Sequence, residues 1–279
     1  NLDYWIYIAR CYGKYDGYYT AFAFPAKYKK ELKEYLNNAT QLKAFTRHIF
    51  YPTTNFPEVA PNFDWFDFQS KSWNFHWKRW IDEVQNSPES LPQKLIEPKT
   101  YSIQVDETDI LILKELEKDG TAKFTKLAEV ANITPQGVRH RYHRHILERN
   151  LIVDYEVATL PYPLLTSDMC SFKIDFENEE TLAKFANSLQ NKPFIIAYGK
   201  LISQHSLIVH TYTPKTEFSE LINSMNRLIR KKLIRSFLYV TLDVASFRRQ
   251  TISYEFFKEN KWTYDYEKKL EKLRELTTR

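Results

Sequence analysis

Residues 106–120 of this 279-residue chain read DETDILILKELEKDG, and residues 124–149 read FTKLAEVANITPQGVRHRYHRHILER. In the first stretch Asp106 is a plausible N-cap, and apolar residues recur three or four positions apart until Asp119-Gly120. Glycine after a run of this kind commonly ends a helix. The first stretch therefore predicts one amphipathic helix.

The second stretch predicts two more helices joined by a tight turn. One helix covers residues 124–131, and Asn132 makes the turn because it tolerates positive φ. Thr134-Pro135 caps and starts a third helix that runs to about Arg149. Residues 151–159 then alternate like a wing strand, so the region predicts a winged helix-turn-helix.

One face of the third helix carries side chains suited to reading DNA. Glutamine can pair with adenine and arginine with guanine in the major groove. The polar face holds Gln136, Arg139, His140 and His143, and a second face holds Val138, Tyr142 and Ile146. The predicted DNA-binding residues are Lys126, Thr134, Gln136, Arg139, His140, His143 and Arg144.

Charge is distributed unevenly over these helices. Residues 121–149 carry a local charge of +4, and residues 106–120 carry −4, within a chain of net charge +5. A merely solvated helix face would also fit this pattern. A metal site at His140, His143 and His145 is the other alternative, but no Cys or carboxylate completes a ligand shell nearby, so we assign no metal.

The sequence also contains an internal repeat with an offset of 189 positions. Pro25 and Pro214 each end a strand-like run and open a charged helical segment. Without a gap, the same shift superposes Phe68 on Phe257, Trp73 on Trp262, Phe75 on Tyr264 and Trp77 on Tyr266. A shared offset for proline and tryptophan positions so far apart indicates a duplication.

The second copy of the repeat predicts the order βαββαβ of a ferredoxin-like sandwich. Its strand segments are rich in Val, Ile, Phe and Tyr, and its helices carry apolar residues three or four positions apart. The predicted strands are 169–176, 194–199, 206–212 and 234–245, and the predicted helices are 179–189 and 217–231.

The first copy carries only the second half of this order. It predicts strands over 5–12, 17–24 and 43–51 and a helix over 27–38. A sheet that lacks a strand and a helix leaves an apolar face exposed. We therefore expect residues upstream of Asn1 that complete this copy and add a further helical unit.

Both copies end in an aromatic extension, WNFHW at 73–77 and WTYDY at 262–266. Alternating large rings suit a strand or a clamp laid over another surface. We expect the two copies to contact each other and to bury Trp or Tyr of the extensions at the seam.

These patterns predict an α+β fold, a winged helix-turn-helix plus two ferredoxin-like (βαββαβ) sandwich copies, the first incomplete at its N-terminus. The predicted domains are an incomplete ferredoxin-like domain with its extension (1–84), a Pro-rich linker (85–104), the winged helix-turn-helix (105–160), the second ferredoxin-like domain (161–249) and an aromatic, helical C-terminal extension (250–279).

Composition narrows the function classes. The chain is 43% hydrophobic, which excludes a disordered protein. Its five glycines have no phosphate-loop or dinucleotide-fold spacing, and Cys11 and Cys170 resemble neither a redox pair nor a metal knuckle. The longest run without a charged residue, 201–214, is too short to span a bilayer.

A family resemblance rests on the stretch 106–120, on Leu127-Ala-Glu, on Ile133-Thr-Pro135 and on Arg141-Tyr-His-Arg144. Together they resemble the DNA-binding domain of the Lrp/AsnC (feast/famine) transcriptional regulators. The βαββαβ region that follows is similar to the ligand-sensing and dimerising domain of that family, so the resemblance covers about Val105 to Phe247.

The resemblance implies a sequence-specific transcriptional regulator that binds double-stranded DNA. The third helix would be the recognition helix, with Thr134 near the phosphate backbone. The ferredoxin-like copies would pair between chains, as a homo-oligomer, or within one chain, as an intramolecular pseudo-dimer.

This chain departs from the family pattern in several places. An extra residue sits between Arg144 and Asn150, which makes the end of the recognition helix uncertain. The duplication and the extensions are also unusual. The loop where family members bind an amino-acid effector resembles the first copy only, at Gly13, Tyr15 and Asp16, and binding of no effector by either copy is the alternative.

Three other functions stay open, one of which is a partner-binding scaffold that uses the Trp-rich extension. The same pair of domains also resembles that of the siroheme decarboxylases. His205 and His210 are the candidate histidines for holding and protonating a carboxylated tetrapyrrole. An architectural DNA-binding protein is the third alternative. We expect no enzyme, no catalytic residues and no cofactor beyond a possible amino-acid effector, with DNA as partner, no membrane and a cytoplasmic, DNA-associated location.

Overall fold

One antiparallel sheet of seven strands runs through both copies of the repeat. The structure is a computed structural model that describes residues 3–59, 63–98, 104–152, 155 and 160–277. Its strands are β1 (Trp5–Gly13), β2 (Gly17–Phe22), β3 (Phe66–Asp67), β4 (Ser72–Trp73), β5 (Ser167–Asp175), β6 (Ile195–Lys200), β7 (Ser206–Pro214), β8 (Ser236–Leu242), β9 (Arg248–Arg249), β10 (Phe257–Lys258) and β11 (Lys261–Trp262). The sheet order is β2-β1-β8-β5-β7-β6, with β9 on β1, and β3-β4 and β10-β11 are separate hairpins.

The α-helices fall into two groups. The α-helices of the described residues are α1 (Lys29–Gln41), α2 (Trp77–Asn86), α3 (Glu107–Lys118), α4 (Phe124–Ala131), α5 (Pro135–Arg141), α6 (Glu179–Ser188), α7 (Lys215–Arg230) and α8 (Tyr266–Thr277). Some pack with the two copies of the repeat, and α3, α4 and α5 form a separate helical unit. A π-helical turn over Tyr142–Leu147 follows α5 directly. None of the helices described combines the length and the apolar character that crossing a bilayer requires.

The second copy has the predicted ferredoxin-like fold. Its elements follow the order β5-α6-β6-β7-α7-β8, and its strands lie side by side as β8-β5-β7-β6. β5 pairs with β7 over its full length, from Ser167 opposite Pro214 to Asp175 opposite Ser206. The predicted strands and helices of this copy are confirmed, with small shifts at their ends.

Alternation along β5 divides its side chains between two cores. Phe172 and Ile174 join the large cluster beneath α6 and α7. Met169, on the opposite face, joins a second cluster with Tyr212 and Leu242. Both faces of the second copy's sheet are therefore covered, one by its own helices and the other by the first copy.

The first copy contributes β1, β2 and α1, but its predicted strand over 43–51 is wrong. Those residues form turns and irregular chain. In the second copy the equivalent strand β8 pairs with the first strand β5, and no described residue of the first copy supplies such a partner. The chain instead bridges to the outer edge of β6, with Thr53 opposite Leu201 and Glu58 opposite Ala197.

The two copies are joined by backbone hydrogen bonds at two edges. On one side β8 pairs with β1, as Leu242 lies opposite Cys11, and β9 continues this with Arg249 opposite Tyr7. On the other side residues 53–59 run along β6, and the Val59 N–H donates to the Ile196 carbonyl at 2.7 Å. The expected contact between the copies is confirmed, and it lies within one chain.

The first aromatic extension packs on the second copy. Trp80 of α2 is 1% exposed, and its ring lies 5.1 Å from the Phe194 ring. The Trp77 ring lies 4.8 Å from the same phenylalanine, and its indole N–H donates to Glu217 of α7 at 2.8 Å. The extension 73–77 was expected as a strand or a clamp. In the structure Trp73 ends the hairpin strand β4, residues 74–76 are irregular, and Trp77 begins α2, so the extension lies on the second copy without forming a continuous strand.

The second extension packs in return on the first copy. Its helix α8 places Leu270 and Leu273 in one cluster with Tyr35 and Ala39 of α1. Ahead of the helix, the Tyr264 ring lies 4.9 Å from the Phe24 ring. Each copy is thus completed by the extension that follows the other copy, and the expected burial of extension rings at the seam is confirmed.

The two hairpins differ in turn length, which corrects the repeat alignment locally. Phe66 pairs with Trp73 in the first hairpin, and Phe257 pairs with Trp262 in the second. The equivalent of Phe257 is therefore Phe66, and the ungapped match of Phe68 to Phe257 is wrong. The longer first turn leaves Phe68 exposed.

The helical unit has its own core and rests on the second extension. Its core comprises Ile112, Leu116, Leu127, Ala128, Val138 and Ile146. The Lys114 ammonium of α3 lies 4.1 Å from the centre of the Tyr254 ring, and the Glu117 carboxylate accepts from the Ile252 N–H at 2.8 Å. The predicted wing strand over 151–159 lies largely outside the described residues.

The described part of the predicted linker lies along the second copy. The Asn187 side-chain amide donates to the carbonyls of Pro88 and Ser90, at 3.0 and 2.9 Å. Leu95 is fully buried, and Glu97 pairs with Lys200. This segment is anchored to the surface of the second copy up to residue 98.

A buried histidine lies at the seam between the copies. His210 of β7 is 5% exposed, and its Nε2 lies 3.1 Å from the Tyr7 hydroxyl and 3.0 Å from the Tyr19 hydroxyl. The Phe56 ring lies 4.8 Å from the imidazole. Burial lowers the pKa of His210 to about 3, so the ring is neutral at physiological pH.

We predict that His210 contributes to acid unfolding. Because its folded pKa is about 3 and an unfolded histidine titrates near 6.5, the folded state binds fewer protons. The contribution of the neutral His210 to the free energy of unfolding is therefore complete above about pH 6.5 and is lost as the pH falls toward the folded pKa. Denaturant unfolding from about pH 7 to pH 4 should therefore show a smaller loss of stability for His210→Gln than for the native chain.

The exposed His205→Gln is the control and should keep the native pH dependence. Identical slopes for His210→Gln and the native chain would contradict the prediction.

Candidate nucleic-acid interface

The first helix of the helical unit begins with a reciprocal cap. The Asp109 N–H donates to the Asp106 carboxylate at 2.9 Å, and the Asp106 N–H donates to the Asp109 carboxylate at 3.3 Å. Aspartate at both positions satisfies two backbone donors that the helix would otherwise leave free. The predicted N-cap at Asp106 is confirmed.

The turn between α4 and α5 follows the chemistry of its residues. Asn132 has φ of 52°, the left-handed region that asparagine tolerates. Thr134 caps α5, because its hydroxyl accepts from the Gly137 N–H at 3.1 Å, and Pro135 occupies the first turn. The Thr134 hydroxyl is thus engaged within the helix start, and its contact with phosphate stays a prediction.

The predicted polar face of the recognition helix faces solvent. Gln136, Arg139, His140 and His143 are exposed, and Val138 is buried in the core of the helical unit. Among the described residues, Arg139 forms no ion pair. The face therefore presents an amide, a guanidinium and two imidazoles together, as sequence periodicity predicted.

The end of this helix departs from the predicted α-helix to Arg149. α5 stops at Arg141, and the chain continues as a π-turn in which the Glu148 N–H donates to the His143 carbonyl at 3.0 Å. A π-turn accommodates one extra residue inside a helix. It overlaps the stretch between Arg144 and Asn150, where one residue more than the family pattern was expected.

An ion-pair network around the buried Asp109 ties α5 and the π-turn to α3. The Arg141 guanidinium donates to Asp106 at 2.6 Å and to Asp109 at 2.8 Å. The His145 Nδ1 lies 3.1 Å from the Asp109 carboxylate, which is 1% exposed. In the sequence, Arg141 was part of the basic stretch and of the family-like motif Arg141-Tyr-His-Arg144, with no partner predicted for it. Its spacing from Gln136 and Arg139 could have shown that it lies off their face.

The network determines the protonation of its members. Burial alone would raise the pKa of Asp106, but hydrogen bonds from Arg141 and from the Asp109 backbone outweigh burial and lower that pKa. For Arg141, burial alone would lower the pKa, but its hydrogen bonds to the two aspartates outweigh burial and raise the pKa. The charged forms are therefore favoured on both sides.

The same cluster has the composition of a cation site. Asp106, Asp109 and His145 each offer a ligand atom, all within 4.8 Å of one another. The Arg141 guanidinium already bonds to both carboxylates, so the positive charge that the cluster holds is that of Arg141. His145 contacts the Asp109 carboxylate, while His140 and His143, considered with it as a possible metal site, are exposed to solvent.

Two of the predicted DNA-binding cations, Arg144 and Lys126, make only surface ion pairs. Arg144 lies 2.9 Å from Glu148, and Lys126 lies 3.7 Å from Asp119. Both pairs are solvent-exposed, and such pairs contribute little to stability. Either cation can therefore exchange its carboxylate for a DNA phosphate at small cost.

The predicted effector loop is the exposed turn between β1 and β2. Gly13 has φ of 113°, a conformation that requires glycine. The Arg47 guanidinium lies over the Tyr15 ring, 4.5 Å from the centre of that ring. Asp16 is exposed. The two histidines considered for a decarboxylase lie apart in environment, since His205 is in an exposed turn and His210 is enclosed at the seam.

Residues 105–144 match the family model of the AsnC-type helix-turn-helix domain. The match covers α3, α4, α5 and the beginning of the π-turn. The resemblance seen in the sequence is confirmed for this region. A search of curated protein sequences returns no match to the chain.

Solved structures with a similar fold include several regulators. A transcriptional regulator from Neisseria meningitidis in complex with L-Met is 16% identical, with 50% of this chain and 89% of that chain covered and a TM-score of 0.42. AsnC of E. coli is 14% identical, with 49% and 91% covered and a TM-score of 0.37. The siroheme decarboxylase NirDL is 10% identical, with 99% and 72% covered and a TM-score of 0.48.

We predict that the ion-pair network stabilises the helical unit. Asp109→Ala leaves the half-buried Arg141 with a single carboxylate and removes the bond from the Asp106 N–H to the Asp109 side chain, which is one half of the reciprocal cap. It should lower the free energy of unfolding by about 3 kcal/mol. Amide hydrogen exchange in α3 and α5 measures the loss.

Glu148→Gln breaks only the exposed pair with Arg144 and should change the stability by less than about 1 kcal/mol. Equal protection of α3 in the Asp109→Ala and native chains would contradict the role of the network.

Proposed function

We propose that this chain, which carries the AsnC-type helix-turn-helix domain of the Lrp/AsnC family, is a sequence-specific DNA-binding transcriptional regulator. In this proposal α5 enters the major groove and the ferredoxin-like copies hold the helical unit in place. The protein would act with DNA in the cytoplasm, and not as an enzyme.

The observation that carries the proposal is the exposed face of α5. Gln136 and Arg139 lie one helical turn apart in the first two turns, which is where recognition helices contact base edges. Arg139 has no carboxylate partner among the described residues, so its guanidinium is available to a guanine. Arg141, two positions later, is held by Asp106 and Asp109 and orients the helix instead.

Electrostatics support the same orientation. The region from α4 to the end of the π-turn carries the positive charge of the unit, and α3 carries the negative charge. α3 turns part of its acidic side toward the second extension, where the Glu107 and Glu117 carboxylates accept backbone N–H groups. The basic side is left for a polyanion.

Assembly on DNA requires more than one such unit. A single helix-turn-helix reads only a half-site, and specific affinity normally needs two units about one DNA turn apart. The two sandwich copies already pair within one chain, so this pairing alone does not supply a second helical unit from the described residues. We propose that a homo-oligomer supplies it.

We further propose that an amino-acid effector binds at Gly13, Tyr15 and Asp16. One structure of similar fold is a regulator in complex with L-Met. In this chain the loop lies at the first-copy side of the seam, where Tyr15 packs against the second core cluster. A ligand there would contact residues of both copies.

We predict different consequences for a base-reading and a phosphate-binding residue. Arg139→Ala should cost about 1–3 kcal/mol on the preferred duplex and relax preference at one base pair. Lys126→Ala should weaken all duplexes alike and reduce the slope of log affinity against log salt by about one. Titration of labelled duplexes at several salt concentrations measures both effects.

Sequence-blind losses from both variants would favour an architectural DNA-binding protein. Affinity that stays flat with salt for every duplex would exclude DNA binding through this face.

We predict two chains on each specific duplex. Light scattering of the saturated complex should give the mass of two chains on a duplex with two half-sites about 10 base pairs apart. A duplex with one half-site serves as control and should bind one chain more weakly. Saturation of the two-site duplex by one chain would contradict the homo-oligomer.

A further inference from the structure

A basic groove lies on the helical layer of the second copy, between α2 and the C-terminal end of α7. Its volume is about 430 Å³, within the range of small-molecule sites. It is lined by Lys78, Ile81, Asp82, Arg227, Arg230 and Lys231. The proposed DNA-binding function does not use any of these residues.

The positive charge of the groove is nearly uncompensated. Four cationic side chains face a single carboxylate, and no described residue forms an ion pair with any of the four. The described hydrogen bond in the groove is from the Lys231 ammonium to the Gln85 side-chain oxygen at 3.0 Å, which adds no charge. Like charges held together are unfavourable unless an anion joins them.

The internal repeat shows that the fold does not require these cations. A shift of 189 positions places the other half's equivalents on α8 and at the end of α1. The equivalents of the six lining residues are Glu267, Leu270, Glu271, Asn38, Gln41 and Leu42.

The apolar member is kept, since Ile81 and Leu270 are both buried, and the carboxylate of Asp82 is kept as Glu271, but none of the four cations has a basic equivalent. Basic residues at a helix C-terminus favour the helix dipole. α1 nevertheless ends without a basic residue in its last turn, so neither packing nor the dipole explains the charge of the groove on the second copy.

We propose that this groove binds a small ligand that carries two or more oxyanion groups, phosphoryl or carboxylate. Arginine and lysine are the side chains that hold such groups by charge-assisted hydrogen bonds. Lys78 lines the groove from α2, while Arg227, Arg230 and the C-cap residue Lys231 line it from the end of α7, so cations border the groove on two sides. A DNA backbone would instead require a longer basic stripe.

The test is titration calorimetry of the whole chain, with inorganic pyrophosphate as the phosphoryl probe and citrate as the carboxylate probe. One equivalent of at least one probe should bind per chain. Lys78→Glu combined with Arg230→Glu should weaken that binding at least about tenfold, since it removes two charge-assisted contacts. The matched control on the equivalent helix, Lys268→Glu with Lys272→Glu, should bind as the native chain does.

The internal comparison provides a gain variant. Glu267→Lys with Gln41→Arg introduces cations at the equivalent positions of the other half and should add a second, weaker equivalent of the same probe. The substituted side chains of the loss and control variants are exposed, so circular dichroism should show native folding.

Failure of both probes to bind the native chain, or an equal loss in the control, would overturn the proposal. Duplex binding distinguishes this site from the recognition helix. If the Lys78 and Arg230 charge reversals weakened duplex affinity as strongly as Lys126→Ala, the groove would be part of the DNA-binding surface. That result would overturn the small-ligand site.

Discussion

The reciprocal burial of the two aromatic extensions holds this structure together. Trp77 and Trp80 of the first extension pack on Phe194 in the second copy, and Leu270 and Leu273 of the second extension pack on α1 in the first. Each fully buried large side chain contributes about 1.5–3 kcal/mol through burial alone. Neither copy has this cover from its own segment, so the two copies depend on each other.

The position of the helical unit follows from that exchange. α3 rests on the second extension through Lys114 and Tyr254 and through hydrogen bonds that backbone N–H groups of the extension donate to Glu107 and Glu117. The extension is itself held by the first copy. The exposed face of α5 is therefore oriented by contacts that extend through both copies, and Arg141, Asp106 and Asp109 carry that orientation from α3 to the recognition helix.

Duplication supplies comparisons within one molecule. β8 has a first-strand partner and forms a strand, while the equivalent residues 43–51 have none among the described residues and do not. The longer turn of the first hairpin leaves Phe68 exposed, while the Phe257 of the second hairpin is buried. The groove beside α2 and the equivalent positions on α8 and α1 share a buried apolar residue and differ in charge. Features common to both halves serve the fold, and features of one half alone are candidates for function.

Local chemistry determined the parts that the sequence predicted correctly. Capping at Asp106, positive φ at Asn132 and Thr134-Pro135 at the start of α5 are decided by a few neighbouring residues, so they could be read directly. Periodicity likewise placed Gln136 and Arg139 on one exposed face and predicted the βαββαβ order of the second copy.

Only the tertiary structure decided what depends on distant partners. The failure of strand 43–51, the exchange of extensions and the enclosure of His210 by Tyr7 and Tyr19 all involve residues far apart in the chain. The role of Arg141 belongs here too, because its carboxylate partners lie 32 and 35 positions away. A pattern along the sequence reports which face of an element is apolar, but not which surface covers it, since burial is a property of the pair of surfaces that meet.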